Sequence, residues 1–270
     1  MTAAMNAPPL LAATGLAKAW GGVRAVDDVS FSVAAGEIVA LIGPNGAGKS
    51  TCFNLINGQL RPDAGRVLLS GRDITGAGPA RAFRAGVGRT FQIAATFASM
   101  TVRENVQTAL AAGRGQIMRP WGAGRNVARD DAMRLLALAG MAAQAERPAA
   151  ELAYGDVKRL ELAIALAGAP RLLLMDEPTA GMAPADRADL MRTAVAVARE
   201  QNIGVLFTEH DMDAVFAHAD RILVLDRGRL IASGAPADVR DNAAVRAAYL
   251  GDGVLFAATS GPHPGDPKSS

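Results

Sequence analysis

The chain has 270 residues, half of them hydrophobic and 20% charged, the balance of a globular protein with a sizeable core rather than of a disordered or fibrous chain. Lys plus Arg number 28 against 26 for Asp plus Glu, so no field strong enough to gather a polyanion is implied and nucleic acid is not an expected partner. The single cysteine, Cys52, cannot close an internal disulfide, no apolar run approaches the roughly 18 residues of a membrane span, and the start lacks the basic and apolar parts of a signal peptide. The chain is expected to stay inside the cell.

In chain order, Leu10 to Val33 alternates in short apolar segments broken by Gly21-Gly22, as strands of a hairpin do. Trp20 precedes that turn, where its indole either stacks on a purine ring or serves as a half-buried edge aromatic. Glu37 to Ile42 is a short aliphatic run suited to a buried parallel strand, and Cys52 to Ile56 opens a helical pattern. Between them stands Gly43-Pro44-Asn45-Gly46-Ala47-Gly48-Lys49-Ser50-Thr51, which matches the phosphate-binding pattern at every required position. Arg61 to Gly65 reads as a turn and Arg66 to Ser70 as a strand. Gly86 to Gln92 is a strand ending on a polar amide. From Thr101 to about Glu151 the texture is helical: Thr101 and Glu104 form a capping box, Gly113 to Gly124 is a loop, and Asp130 to Ala139 is amphipathic. Arg171 to Asp176 is a buried strand ending in a carboxylate, followed by a helix over about Ala185 to Glu200. Ile203 to Thr208 is another strand, ending beside Glu209-His210. Arg221 to Leu225 and Arg229 to Ser233 flank Asp226-Arg227-Gly228 as a hairpin, and the composition from Ala257 onward predicts disorder.

The chemistry follows from these placements. Glycines let backbone N–H groups turn inward on phosphates, and the helix N-terminus adds partial positive charge there. Lys49 then reaches the β- and γ-phosphates, and the Ser50 hydroxyl ligates Mg²⁺. Such a loop needs an acidic group for the magnesium shell and a group that orients the attacking water. Asp176 and Glu177 supply both: Asp176, behind an aliphatic strand, would hold Mg²⁺ through water, and Glu177 would polarise the nucleophile. His210, at a strand end, is suited to the γ-phosphate, and Gln92 to Mg²⁺ or the lytic water while Ile93 to Met100 moves. His218 and His263 have no comparable setting.

The order of phosphate loop, Gln92, Leu152-Ala153-Tyr154-Gly155-Asp156, Leu172 to Glu177, Ala180-Gly181-Met182 and His210 resembles the ATP-binding subunits of ABC transporters, from about Leu10 to Leu250. Arg89-Thr90-Phe91-Gln92, the Leu-Ala-Tyr-Gly signature followed by Lys158-Arg159-Leu160-Glu161, Glu209-His210-Asp211-Met212 and Ala248-Tyr249-Leu250-Gly251 are similar to the branched-chain amino-acid importer type. The resemblance implies an α/β fold: a P-loop NTPase core with a mixed sheet and an antiparallel β subdomain, plus an inserted helical subdomain at about 100–165. The ABC domain would run over 8–256, between flexible termini at 1–7 and 257–270. It implies ATP and Mg²⁺ as ligands and a head-to-tail pair of ATPase subunits, hetero- or homodimeric, in which Ala153 to Asp156 of one chain face the other's ATP. Trp20 would lie under the adenine. Permease subunits would be the direct partners and a solute-binding protein an indirect one, with the chain peripheral on the cytoplasmic face of the inner membrane. Lipopolysaccharide-export ATPases and soluble ABC-type ATPases share much of this motif set. Two departures stand out: Ala153 replaces the signature serine, removing a donor to phosphate, and Asp156 replaces its glutamine. A carboxylate there would repel the partner's ATP unless it faces away or pairs with Lys158 or Arg159. Ala183, where relatives often carry Asn or Asp, removes a cross-dimer hydrogen bond.

Overall fold

Each aliphatic run becomes a strand. β1 (Leu11–Trp20) and β2 (Val23–Val33) form the hairpin at Gly21-Gly22, β3 (Ile38–Ile42) leads into the glycine-rich loop and α1 (Lys49–Ile56), and β4 (Ala64–Leu69) and β5 (Arg72–Asp73) follow. α2 (Pro79–Ala85) precedes β6 (Val87–Thr90), and α3 (Val102–Gly113), α4 (Arg125–Leu138) and α5 (Tyr154–Leu166) make the helical stretch. β7 (Leu172–Asp176), α6 (Pro184–Glu200), β8 (Gly204–Thr208), α7 (Met212–His218), β9 (Arg221–Asp226), β10 (Arg229–Gly234), α8 (Pro236–Asp241) and α9 (Ala243–Tyr249) complete the order. The computed structural model describes residues 8–90, 96–114 and 125–249, without the side chains of 125–127.

Among the described residues the strands form a four-stranded antiparallel sheet, β2-β1-β4-β5, and a six-stranded sheet, β10-β9-β3-β8-β7-β6, parallel from β9 to β6. The period of two along each strand explains how both faces of the larger sheet are buried. Val39, Leu41, Leu172, Leu174, Leu206, Leu223 and Leu225 point to one face, where α1 and the antiparallel sheet cover them. Ile38, Ala40, Ile42, Leu173, Met175, Val205, Phe207, Ile222 and Val224 point to the other, packed by α5, α6 and the final helices. Cys52 is fully buried in the first layer, which pushes its thiol up to about 12 and leaves it a packing residue at neutral pH.

The helical stretch has a core of its own, with Val106, Leu110, Leu136, Met141 and Leu160 at its centre. α3 starts on the expected capping box: Glu104 N–H donates to Thr101 Oγ1 at 3.1 Å, and Thr101 N–H donates to Glu104 Oε2 at 2.9 Å. Its hairpin counterpart at the other end of the chain is as expected, a turn with Arg227 and Gly228 at φ +44° and +79°.

Several boundaries differ from the sequence reading. Gly113 ends α3 rather than opening a loop, and α4 starts at Arg125 rather than Asp130. Phe91 and Gln92, like the termini at 1–7 and 250–270, lie outside the described residues. α2 and α8 each start on a proline, Pro79 and Pro236, a helix-start signal that short helices carry without a long apolar period.

Candidate functional site

β3 brings the chain to the carboxyl edge of the larger sheet, where the glycine-rich loop begins. Two of its glycines are obligatory: a Cβ at Gly43 would collide with the carbonyl oxygen of Leu225, and one at Gly48 with that of Ala25. Gly48 also sits at φ +104°, a conformation side chains rarely adopt. The β9–β10 turn braces the loop from below: Gly228 N–H donates to the Ala47 carbonyl at 3.0 Å, and Asp27 N–H to the Gly228 carbonyl at 2.8 Å. Ala47 N–H closes on the Pro44 carbonyl at 3.1 Å, while Asn45, Gly46 and Ser50 are exposed and Thr51 is half-buried. α1 begins on Gly48 with no side-chain cap and no acidic residue in its first turn. An uncapped N-terminus of this kind offers N–H groups and partial positive charge to an anion. Lys49 Nζ bends back over the loop and donates to the carbonyls of Gly43 at 2.6 Å and Pro44 at 3.2 Å.

β8 lies between β3 and β7, so the ends of these strands gather side chains beside the loop. Asp176, 7% exposed, ends β7; its Oδ1 accepts from the Thr208 hydroxyl at 2.8 Å and its Oδ2 from Arg89 Nη2 at 3.1 Å. Glu177 follows at φ +48°, a left-handed backbone that costs a non-glycine residue on the order of 1–2 kcal/mol and is held here by two acceptors on Thr208. That conformation turns its carboxylate toward His210, whose Nε2 lies 3.0 Å from Glu177 Oε1. Glu209 is buried and locks the next turn, accepting from Thr179 N–H at 2.9 Å and Thr179 Oγ1 at 2.6 Å. Arg187 adds a brace, donating to the Met182 carbonyl at 2.7 Å and to Asp211 at 3.0 Å. Among the described residues no three or more acidic, His or Cys side chains are grouped so as to hold a metal ion by themselves. The Ser50 hydroxyl and the Asp176 carboxylate are hard oxygen donors of the kind that fit Mg²⁺, which keeps several waters and takes further ligands from phosphate.

The other predicted site residues stand on other elements. Ala153 is the N-cap of α5 with no side-chain cap, and Tyr154 is 52% exposed, its hydroxyl donating to the Ala180 carbonyl at 3.1 Å. Gly155 and Asp156 occupy the first turn. Asp156 Oδ2 accepts from Gln144 Nε2 at 3.2 Å, while Lys158 pairs with Glu161 at 3.1 Å and Arg159 with Asp189. Burial outweighs Lys158 and raises the Glu161 carboxyl above its ordinary range. Ala183 caps α6 without a side-chain hydrogen bond. Trp20 is 54% exposed at the hairpin end, with Lys18 Nζ 5.2 Å from its ring centre. His218, ending α7, is held below its usual pKa by burial and by Arg192. Sequence reasoning gave no individual part to Arg89, Thr208, Glu209 and Arg187; the only local signal was their position at strand ends or helix starts.

Residues 26–180 match the family described as ABC transporter. The chain belongs to the ATP-binding cassettes of ABC transporters. Residues 229–254 of the cassette match the family described as branched-chain amino acid ATP-binding cassette transporter. It is 39% identical over 251 residues to the high-affinity branched-chain amino acid transport ATP-binding protein LivG of Escherichia coli (strain K12), covering 90% of this chain and 98% of that one. It is 37% identical over 254 residues to BraF of Pseudomonas aeruginosa, of the same description, with the same coverage of 90% and 98%. The ADP conformation of a solved ATP-binding cassette of an ABC transporter superposes with a TM-score of 0.81 at 32% identity, covering 91% of this chain and all of that one. The cassette is therefore a nucleotide-binding ATPase that drives transport, on an α/β P-loop fold.

Proposed function

We propose that this cassette is the motor subunit of an importer for branched-chain amino acids or related hydrophobic solutes and amides, docked on permease subunits at the cytoplasmic face of the inner membrane. Its likeness to LivG and BraF along nearly their whole length supports the solute class. Among the described residues no helix is long and apolar enough to cross a membrane, in keeping with separate permease chains. The observation that carries the chemistry is the 3.0 Å approach of His210 to the Glu177 carboxylate beside the uncapped start of α1.

In this reading the amides from Gly43 to Thr51 surround the β- and γ-phosphates of ATP, and Lys49 exchanges its two carbonyl partners for phosphate oxygens. Trp20 stacks on the adenine. Ser50 and Asp176, with Gln92, would hold Mg²⁺, which when bound neutralises charge between the β- and γ-phosphates. Glu177 polarises the water that attacks the γ-phosphorus, and His210 fixes that carboxylate and hydrogen-bonds the γ-phosphate. The exposed start of α5, Ala153 to Asp156, closes over the ATP of a sister ATPase, identical or paralogous. A solute-binding protein acts on the permeases and reaches this chain only through them. Glu177→Gln in the assembled importer should retain ATP, hold the two cassettes together and lower turnover by about 10²–10⁴-fold. Turnover near the parent rate, or purification with lipopolysaccharide-export subunits in place of amino-acid permeases, would contradict the proposal.

A further inference from the structure

β6 contributes one long cation to the site. Arg89 pairs in parallel register with Leu174, two residues before Asp176, so the three side chains share one face of the sheet. Its guanidinium is fixed at both ends of the fork. Nη1 donates to Asn54 Oδ1 at 2.8 Å, on α1, and to Gln59 Oε1 at 2.9 Å, while Nη2 donates to Asp176 Oδ2 at 3.1 Å. The side chains are only 15% and 8% exposed. A carboxylate so far out of water needs a counter-charge, and removing the partner from such a pair leaves the other charge uncompensated. A divalent cation beside Asp176 would supply the same compensation and would feel the guanidinium as a like charge, weakly screened at this depth.

We propose that Arg89 is the resident counter-ion of Asp176 and that Mg²⁺ competes with it: the guanidinium holds the carboxylate in place between nucleotides and weakens the grip on Mg²⁺ when a nucleotide is bound. Arg89 is thus a positioning residue that favours release of the metal with spent nucleotide. The proposal rests on the reading that Asp176 faces the divalent cation.

The test is a Mg²⁺ titration of mant-ADP binding to the full chain, with thermal melting of the free and the Mg²⁺–mant-ADP forms. Arg89→Met should lower the half-saturating Mg²⁺ concentration by on the order of tenfold. It should also lower the melting temperature of the free chain by more than that of the loaded one, because Mg²⁺ replaces the lost charge. Arg89→Lys should lie near the parent. Arg89→Met combined with Asp176→Asn removes both charges and keeps the experiment open if the single variant folds poorly; it should need no more Mg²⁺ than Asp176→Asn alone, and a higher requirement would contradict the proposal. An unchanged Mg²⁺ dependence with equal loss of melting temperature in both forms would make Arg89 a staple between β6 and α1 and overturn the proposal. A higher Mg²⁺ requirement would overturn it too. If Asp176→Asn itself leaves the Mg²⁺ dependence unchanged, the reading of Asp176 fails and takes the proposal with it.

Discussion

The phosphate loop and the start of α5 each present a helix N-terminus, and they are built in opposite ways. At the loop, backbone carbonyls of Ala25 and Leu225 leave no room for a Cβ, the β9–β10 turn braces from below, and the first turn of α1 carries no acidic residue of its own. At α5, Ala153 gives no cap, Tyr154 is half in solvent, and Asp156 places a carboxylate in the first turn, hydrogen-bonded to Gln144. A Cβ at Gly155 would meet nothing nearer than Met182 Cε at 3.5 Å, an ordinary contact. The difference teaches which anion site one chain completes by itself. The loop is finished by its own neighbours; the α5 surface has room on its outer side, which suits closure by a second body.

The sharpest way to break that comparison is to add one methyl group to each. Gly48→Ala forces a Cβ into the Ala25 carbonyl and should weaken mant-ADP binding at least about 100-fold, or about 2.7 kcal/mol. Gly155→Ala should fold normally and bind mant-ADP within about twofold of the parent, since nothing in its own chain is displaced. Its cost should appear only in ATP-driven association and turnover of the assembled pair. Equal losses in mant-ADP binding for the two variants would erase the distinction. A smaller effect is expected from Asp156→Gln. Loss of the carboxylate should lower the stability of the free chain by about 0.3–1 kcal/mol through the helix dipole, while strengthening ATP-induced association several-fold, read by thermal melting and analytical ultracentrifugation. If neither quantity moves, Asp156 does not set the balance at that surface.

What the sequence made legible was what is local. The phosphate loop reads directly because its requirements fall on consecutive residues between an apolar strand and a helix. The β9–β10 hairpin reads from Asp226-Arg227-Gly228, although nothing in that stretch announces that Gly228 supports Ala47. The partners of Asp176 were hidden for the same reason: Thr208 and Arg89 meet it only because β6, β7 and β8 are neighbours in the sheet, an order no single strand encodes. The partner of Asp156 was not legible: Lys158 and Arg159 are close in sequence, yet they pair with Glu161 and Asp189, and Gln144 meets Asp156 instead. Short helices such as α2 and α8 carry too few turns for an apolar period, and only their leading prolines mark them.

The claim on which the account turns is that one chain grips the triphosphate and a second completes the catalytic enclosure. The most direct measurement is ATPase rate per cassette across a dilution series, for the purified chain alone and with its sister ATPase and permeases. The account predicts that the rate per cassette falls on dilution and is restored by the second ATPase. A rate per cassette that stays constant down to concentrations where sedimentation shows only single chains would contradict it.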